Sequence, residues 1–404
     1  MTAARRFHAR IGSPRWVLSL AALTGTTALS IDMSLPAQPT LARELGVSSD
    51  VAQLTLGVFL AGFALGQLVV GFLSDALGRR RVILAGLAVF TLAGLACAAT
   101  SSIGLLLAAR AVQGFGSAAS PVVARAMVRD TQPAASAARM LSTIMAMLAL
   151  APMLAPLIGG FLLAHFAWQA IFVTLAAIGV VFLALSGLTL PETLPPERRM
   201  ALSIGATLAG FARFFRAPGT LVPTLLVCLS FAGQFAFIAA SPFVLIDGLG
   251  VSPDVFGFYF GATALALMLG SITGRRRLMR DLPARVLAGG ALTLCAGGLL
   301  VAIGVRVAAL GRLGLMLPVV VYFFGIGLTT PSATAIAMHP VPEIAGTASA
   351  TIGALTMLTG ALSGYGTTRL GGSDPRTLGL VMGSMGVVAA AVMLRARQLA
   401  ARAA

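Results

Sequence analysis

Two ionisable residues sit where ionisable residues are costly. Asp32 and Arg110 lie inside long apolar stretches of a 404-residue chain that is 58% hydrophobic and only 10% charged. Charge inside a membrane-length apolar segment is rare and marks ion or substrate pathways. An acid and a base that reach one another can pair. Burial favours the neutral acid and a neighbouring guanidinium favours the carboxylate, so a change in either switches its charge. A third constellation, Gly71-x-x-x-Asp75-x-x-Gly78-Arg79-Arg80, places an acid and a base four residues apart between two glycines. Those glycines would allow a tight turn at a helix end, and Asp75 could face a helix N-terminus, whose partial positive charge favours an anion.

The elements that must hold these residues are helices. Apolar runs of about 18–25 residues recur to the end of the chain, each long enough to cross roughly 30 Å of hydrocarbon. In lipid the backbone must satisfy itself, so such runs are helical. A membrane β-barrel would show short alternating segments. Twelve spans are expected, approximately 16–38, 51–74, 82–100, 103–124, 139–163, 167–190, 219–247, 255–273, 284–306, 313–338, 344–366 and 376–394. A polar stretch over 191–218, with Pro191, Glu192, Arg198, Arg199, Arg213 and Arg216, divides them into two six-helix bundles, 1–190 and 219–404. The end of span 8, Gly270-Ser-Ile-Thr-Gly274-Arg275-Arg276-Arg277, faintly echoes the end of span 2 without its Asp. Repeated halves of this kind enclose a site at their interface and rock about it.

The net charge of +16 comes from 28 basic residues, all arginine. Twenty-two of them fall on the side that carries the N-terminus, including Arg5, Arg6, Arg10 and Arg15, and five on the other. That bias fixes topology and contacts anionic headgroups. It predicts both termini in the cytoplasm and does not call for nucleic acid. The first apolar stretch is long and holds Asp32, so it is read as a retained span. Cys97, Cys228 and Cys295 lie in apolar spans without metal-ligand spacing,. No phosphate-cradling loop or paired catalytic set is present, so neither an ATP-driven pump nor an intramembrane enzyme is expected, and no cofactor or metal.

The Asp75 loop resembles the signature between the second and third helices of the major facilitator superfamily. Arg110-Ala-Val-Gln113-Gly114-Phe-Gly116 resembles the fourth-helix motif of its proton-coupled antiporters. Ala151-Pro152-Met-Leu-Ala155-Pro156-Leu-Ile-Gly159-Gly160 resembles the fifth-helix motif of its drug exporters. Ser30-Ile-Asp32-Met33-Ser-Leu-Pro36-Ala-Gln-Pro39, with Gln53, Gly66-Gln67, Ser241-Pro242-Phe243 and Ala345-Gly346-Thr347, is similar to the bicyclomycin/chloramphenicol-resistance (Bcr/CflA) branch. Ser34 departs from it, since that branch often carries an aromatic there.

The resemblance implies an all-α membrane protein of twelve helices in two pseudo-symmetric bundles. It implies a monomeric transporter of the bacterial inner membrane that exchanges small amphiphilic drugs for protons. A metabolite exporter of the same fold, or a passive facilitator, is the alternative. Asp32 would carry the proton and Arg110 would set its affinity; at 1.5 Å per residue both reach a similar depth. By the same resemblance Asp130 would pair with Arg79, and Asp75 would face the start of span 11 near Gly346, latching the cytoplasmic side together with Gly71 and Gly78. The small and bent residues Pro152, Ala155, Pro156, Gly159 and Gly160 read as close packing that seals the outer side. Candidates for a drug-binding wall are Met33, Phe59, Met147, Phe235, Phe237, Tyr259, Tyr322 and Phe323, whose surfaces adapt to flat or irregular apolar ligands. Gln113 and Gln234 join them because a buried amide needs a partner. His165, His339 and Glu343 read as loop residues rather than a proton relay.

Overall fold

The computed structural model describes residues 11–148, 150–199, 204–371 and 373–403. Arg5, Arg6 and Arg10, used above to orient the chain, lie outside the described residues. Within them the secondary structure is helical, with no strand. The helices are α1 (Pro14–Thr24), α2 (Thr26–Asp32), α3 (Gln38–Glu44), α4 (Ser49–Leu77), α5 (Arg79–Ala99), α6 (Ile103–Ser117), α7 (Ala119–Thr131), α8 (Ala134–Leu148), α9 (Ala151–His165) and α10 (Gln169–Thr189). After a linker come α11 (Ile204–Arg216), α12 (Leu221–Pro242), α13 (Pro253–Leu278), α14 (Pro283–Gly304), α15 (Gly311–Met338), α16 (Ala345–Arg369) and α17 (Pro375–Ala403).

Nine of the described helical stretches are individually long and apolar enough to cross a membrane. The difference from twelve falls on spans 1, 4 and 5, each built from two shorter helices. The reasons are local. In span 1, Thr24 and Thr26 turn their hydroxyls back onto the carbonyls of Leu20 and Leu23 at 2.7 and 2.6 Å, a pattern that bends helices. Gly25 between them shares its amide between Ala21 and Ala22. In span 4, Pro121 has no amide to offer the Ser117 carbonyl, where α6 stops,. In span 5, Pro152, in the first turn of α9, likewise has no amide to offer the Leu148 carbonyl,.

The stretch 191–218, expected as a polar connection, contains α11. Its Phe214 is fully buried in a cluster with Ala337, Val341 and Ala348, while Arg213, Phe215 and Arg216 are exposed. Two helix pairs make the most extensive contacts between the segments before and after this linker. One is α4 with α16, the other α9 with α13.

Candidate functional site

Asp32 is the last residue of α2, 5% exposed. Beyond it the chain leaves helix, because Pro36 disfavours helical backbone at Leu35. Ser34 closes the turn, donating from Oγ to the Ile31 carbonyl at 2.8 Å. Among the described residues none hydrogen-bonds the Asp32 carboxyl. Arg110 is fully buried on α6. Its Nη1 donates to Gln113 Oε1 at 2.8 Å, Nε to the Thr55 carbonyl at 3.3 Å and Nη2 to the Ser30 carbonyl at 3.4 Å. The guanidinium lies 4.4 Å from the centre of the Phe59 ring and 5.5 Å from that of Phe172. Arg110 thus ties spans 1, 2 and 4 through neutral oxygens and a π face.

The expected pairing of Arg110 with Asp32 is not formed in this conformation. Arg110 meets span 1 at the Ser30 carbonyl, two residues before Asp32, and no ion pair within 4.0 Å joins the side chains. A guanidinium has five N–H donors in a fixed fork. Here carbonyl and amide oxygens take that fork, which leaves the carboxyl without it.

At the arginine-rich face, Gly78 turns the chain between α4 and α5 with φ 98°, a conformation glycine adopts without steric cost. Gly71, expected to share in that turn, instead lies inside α4, where an added Cβ would meet nothing within 4 Å. Arg79 is the hub. Its Nε donates to Asp130 Oδ2 at 2.8 Å, and Nη1 donates to Ser74 Oγ at 2.8 Å and to Asp75. Thr193 Oγ1 reaches the same Asp130 oxygen at 3.3 Å. Glu192 completes the cluster: Oε1 accepts the Arg79 amide at 2.9 Å and Oε2 the Arg80 amide at 3.2 Å. A carboxylate on two free amides of a helix N-terminus is favourable on both hydrogen-bond and dipole grounds. Asp75, expected to face the start of span 11, is held by Arg79; among the described residues no hydrogen bond joins it to α16. Beside Gly346 stands Arg129, 3.6 Å from where a Cβ would be.

The arginine-poor face is closed by contacts between the two halves. Arg43 Nη1 pairs with Asp247 Oδ1 at 3.0 Å, and Arg369 approaches Asp50 at 4.0 Å. One layer deeper, the buried Thr368 Oγ1 donates to Gln53 Oε1 at 2.5 Å. Beside them α9 packs on both halves. An added Cβ at Gly159 would stand 2.1 Å from the Met33 carbonyl oxygen, and one at Gly160 2.3 Å from that of Pro253. Ala155 and Pro156 are buried in the same helix, and Pro152 lies in its first turn.

The aromatic and methionine wall is mostly core. Phe237 packs against Phe260 and Phe323, and Phe235 against Phe231, within one apolar cluster; Tyr259 lies at its edge. The Tyr322 hydroxyl abuts Gly233. Met33 and Phe59 are fully buried, Gln113 holds Arg110, and Met147 sits at the edge of a first-half cluster around Trp16. Large aromatic surfaces gain most from dry packing. A cavity of about 150 Å³ among α12, α13, α15 and α16 is lined by Gln234 and by none of the other nine wall candidates. Sequence reasoning did not reach Ser271 and Thr330, which share that lining.

These elements define a helical membrane transporter rather than an enzyme. The model of the Major Facilitator Superfamily matches residues 20–364. The uncharacterized MFS-type transporter YdgK of Bacillus subtilis is 36% identical over 85% of this chain and 87% of its own length. The bicyclomycin resistance protein homolog of Haemophilus influenzae is 32% identical over 86% and 87%. Multidrug resistance protein D of Escherichia coli is 30% identical over 92% and 93%. Among solved structures, a peptide transporter POT in complex with sulfate superposes with a TM-score of 0.78 over 100% of this chain and 99% of that one, at 14% identity. A D-xylose–proton symporter does so with a TM-score of 0.74 over 94% and 97%, at 18%. Both structural likenesses are likenesses of fold. The chain belongs to the Major Facilitator Superfamily.

Proposed function

We propose that this protein exports small amphiphilic drugs across the bacterial inner membrane in exchange for protons, with Asp32 as the proton carrier. It works as a monomer of twelve spans. The bundles 1–190 and 219–404 rock about the linker 191–218, both termini lie in the cytoplasm, and lipid surrounds the spans. The observation that carries this reading is Asp32 itself: among the described residues it is the one acidic residue buried in the protein. A carboxylate so placed is costly without a counter-charge, and protonation or an arriving cation relieves that cost. Arg110 biases the exchange through span 1, from the Ser30 carbonyl. The Asp75–Arg79–Asp130 cluster is the cytoplasmic latch, with Gly78 as its turn and Gly346 opposite, and the Gly159–Gly160 edge seals the outer side. The resistance-protein names of relatives at 30–32% identity support the drug class.

The test is Asp32→Asn, expressed in a pump-deficient bacterium and reconstituted in liposomes with an imposed pH gradient. The variant inserts normally, confers no resistance and equilibrates drug without accumulating it, whatever the pH gradient. Uphill, pH-driven export by the variant refutes the assignment. Wild-type protein that only equilibrates drug is a facilitator and refutes the coupling itself.

A further inference from the structure

The ionisable groups are divided unequally between the halves. The first half holds Asp32 and Arg110 inside its spans. In the second half the stretches 217–246, 255–274, 286–305, 313–338, 344–368 and 377–394 contain no Asp, Glu, Arg, Lys or His. The cavity of about 150 Å³ lies in this uncharged half, between α12, α13, α15 and α16, and is open on one side. Gln234 lies about 20 Å along α12 from its arginine-rich end, and Ser271 about 10 Å from the corresponding end of α13,. Phe231, Leu267 and Ile326 supply an apolar wall. Gln234, Ser271 and Thr330 line it too, and among the described residues none hydrogen-bonds the side chains of these three.

A polar side chain facing a cavity without a protein partner must find one in the ligand or in water. An amide and two hydroxyls can donate and accept, so they recognise groups that do both. A cation here would give up part of its hydration for a lining with no counter-charge,. Volume sets the size: an apolar cavity of about 150 Å³ accepts a benzene-sized ring. We infer that the second-half cavity is a recognition compartment for an uncharged, ring-sized group bearing hydrogen-bonding substituents. Gln234, Ser271 and Thr330 determine specificity there, and the compartment discriminates against cations. This rests on the export reading above for its role and places cargo recognition in the half that does not hold the proton site.

The experiment uses the full-length protein in detergent and a matched pair of probes, para-nitrobenzyl alcohol and para-nitrobenzylamine, which share a ring and differ in charge at pH 7. Affinity is read by ligand-observed NMR titration. The alcohol binds at least about tenfold more tightly than the amine. Gln234→Leu and the near-isosteric Thr330→Val each weaken the alcohol about 3- to 10-fold, the loss expected for one neutral hydrogen bond. Equal or tighter binding of the amine, no binding of either probe, or unchanged affinity in both variants overturns the assignment. Thr330→Val keeps the test open if Gln234→Leu fails to fold. Resistance that persists with a cation-preferring cavity refutes the compartment and leaves export standing. Alcohol binding that persists without resistance refutes export and leaves the compartment.

Discussion

Gly160→Ala tests the seam between the halves in one atom. A Cβ at Gly160 would stand 2.3 Å from the Pro253 carbonyl oxygen, 3.0 Å from its carbon and 3.1 Å from the Asp254 Cα, all backbone. Ordinary contact begins near 3.4 Å, so α9 and the start of α13 must separate by about 1 Å. Overpacking of this kind costs about 1–3 kcal/mol. The cost falls on the state in which the arginine-poor face is closed, since Pro253 belongs to the opposite half. At 1.4 kcal/mol per tenfold, the closed population drops about 5- to 150-fold relative to the open one. Gly71→Ala is the control: nothing lies within 4 Å of its Cβ, and in a helix the change is favourable by up to about 1 kcal/mol. The readout is the distance distribution between nitroxide labels at Glu44→Cys and Ser252→Cys, with Cys97, Cys228 and Cys295 replaced by Ala. Both label positions are exposed and lie on opposite halves. Gly160→Ala populates the longer distance and Gly71→Ala does not. If the Gly160→Ala distribution matches the parent, the seam does not hold the closed state and the steric reasoning fails.

Three further substitutions separate charge from geometry. Arg110→Lys keeps the charge but loses the fork that reaches Gln113, Thr55 and Ser30 together, so drug accumulation in liposomes falls at least about tenfold; near-parental accumulation shows that charge alone suffices. Glu192→Gln removes the charge from the acceptor of the Arg79 and Arg80 amides and lowers stability by about 1–2 kcal/mol, read as a fall in melting temperature in detergent. Asp247→Asn removes a pair whose side chains are 62% and 44% exposed, so stability changes by less than about 1 kcal/mol in the same melt.

Much of the site was legible because membrane burial makes charge conspicuous. Asp32 and Arg110 stood out against apolar runs, and the Asp75–Arg79 spacing carried its own geometry. What charge reaches across space was not legible. Arg110 takes neutral oxygens from three spans, and nothing in its spacing from Asp32 distinguishes a carboxylate partner from a carbonyl two residues away. Glu192 read as part of a polar connection, although an acid just past one helix is well suited to cap the start of another. The linker helix was hidden by its neighbours Pro191, Pro195 and Arg198. Its Phe211, Phe214 and Phe215 at helical spacing were the available signal. The aromatic wall failed for a different reason: type and spacing mark an apolar side chain but not whether a cavity or another helix faces it. Of the joints, those in spans 4 and 5 follow from proline, whereas the one in span 1 depends on two threonine hydroxyls choosing backbone partners.

Those joints change what motion means in this protein. Spans 1, 4 and 5 each contain an elbow, at Gly25, at Ala118 and at Leu150, whereas in the opposing half α13, α14 and α16 each run as one helix with no proline beyond their first turn. An elbow concentrates flexing at one or two residues and lets the segments on either side keep their own ladders intact. The two segments of spans 1 and 4 that carry Asp32 and Arg110 can therefore pivot while their distal segments stay docked, so these two buried side chains ride on articulated arms and the unbroken helices of the opposing half give them a stiffer bench to work against.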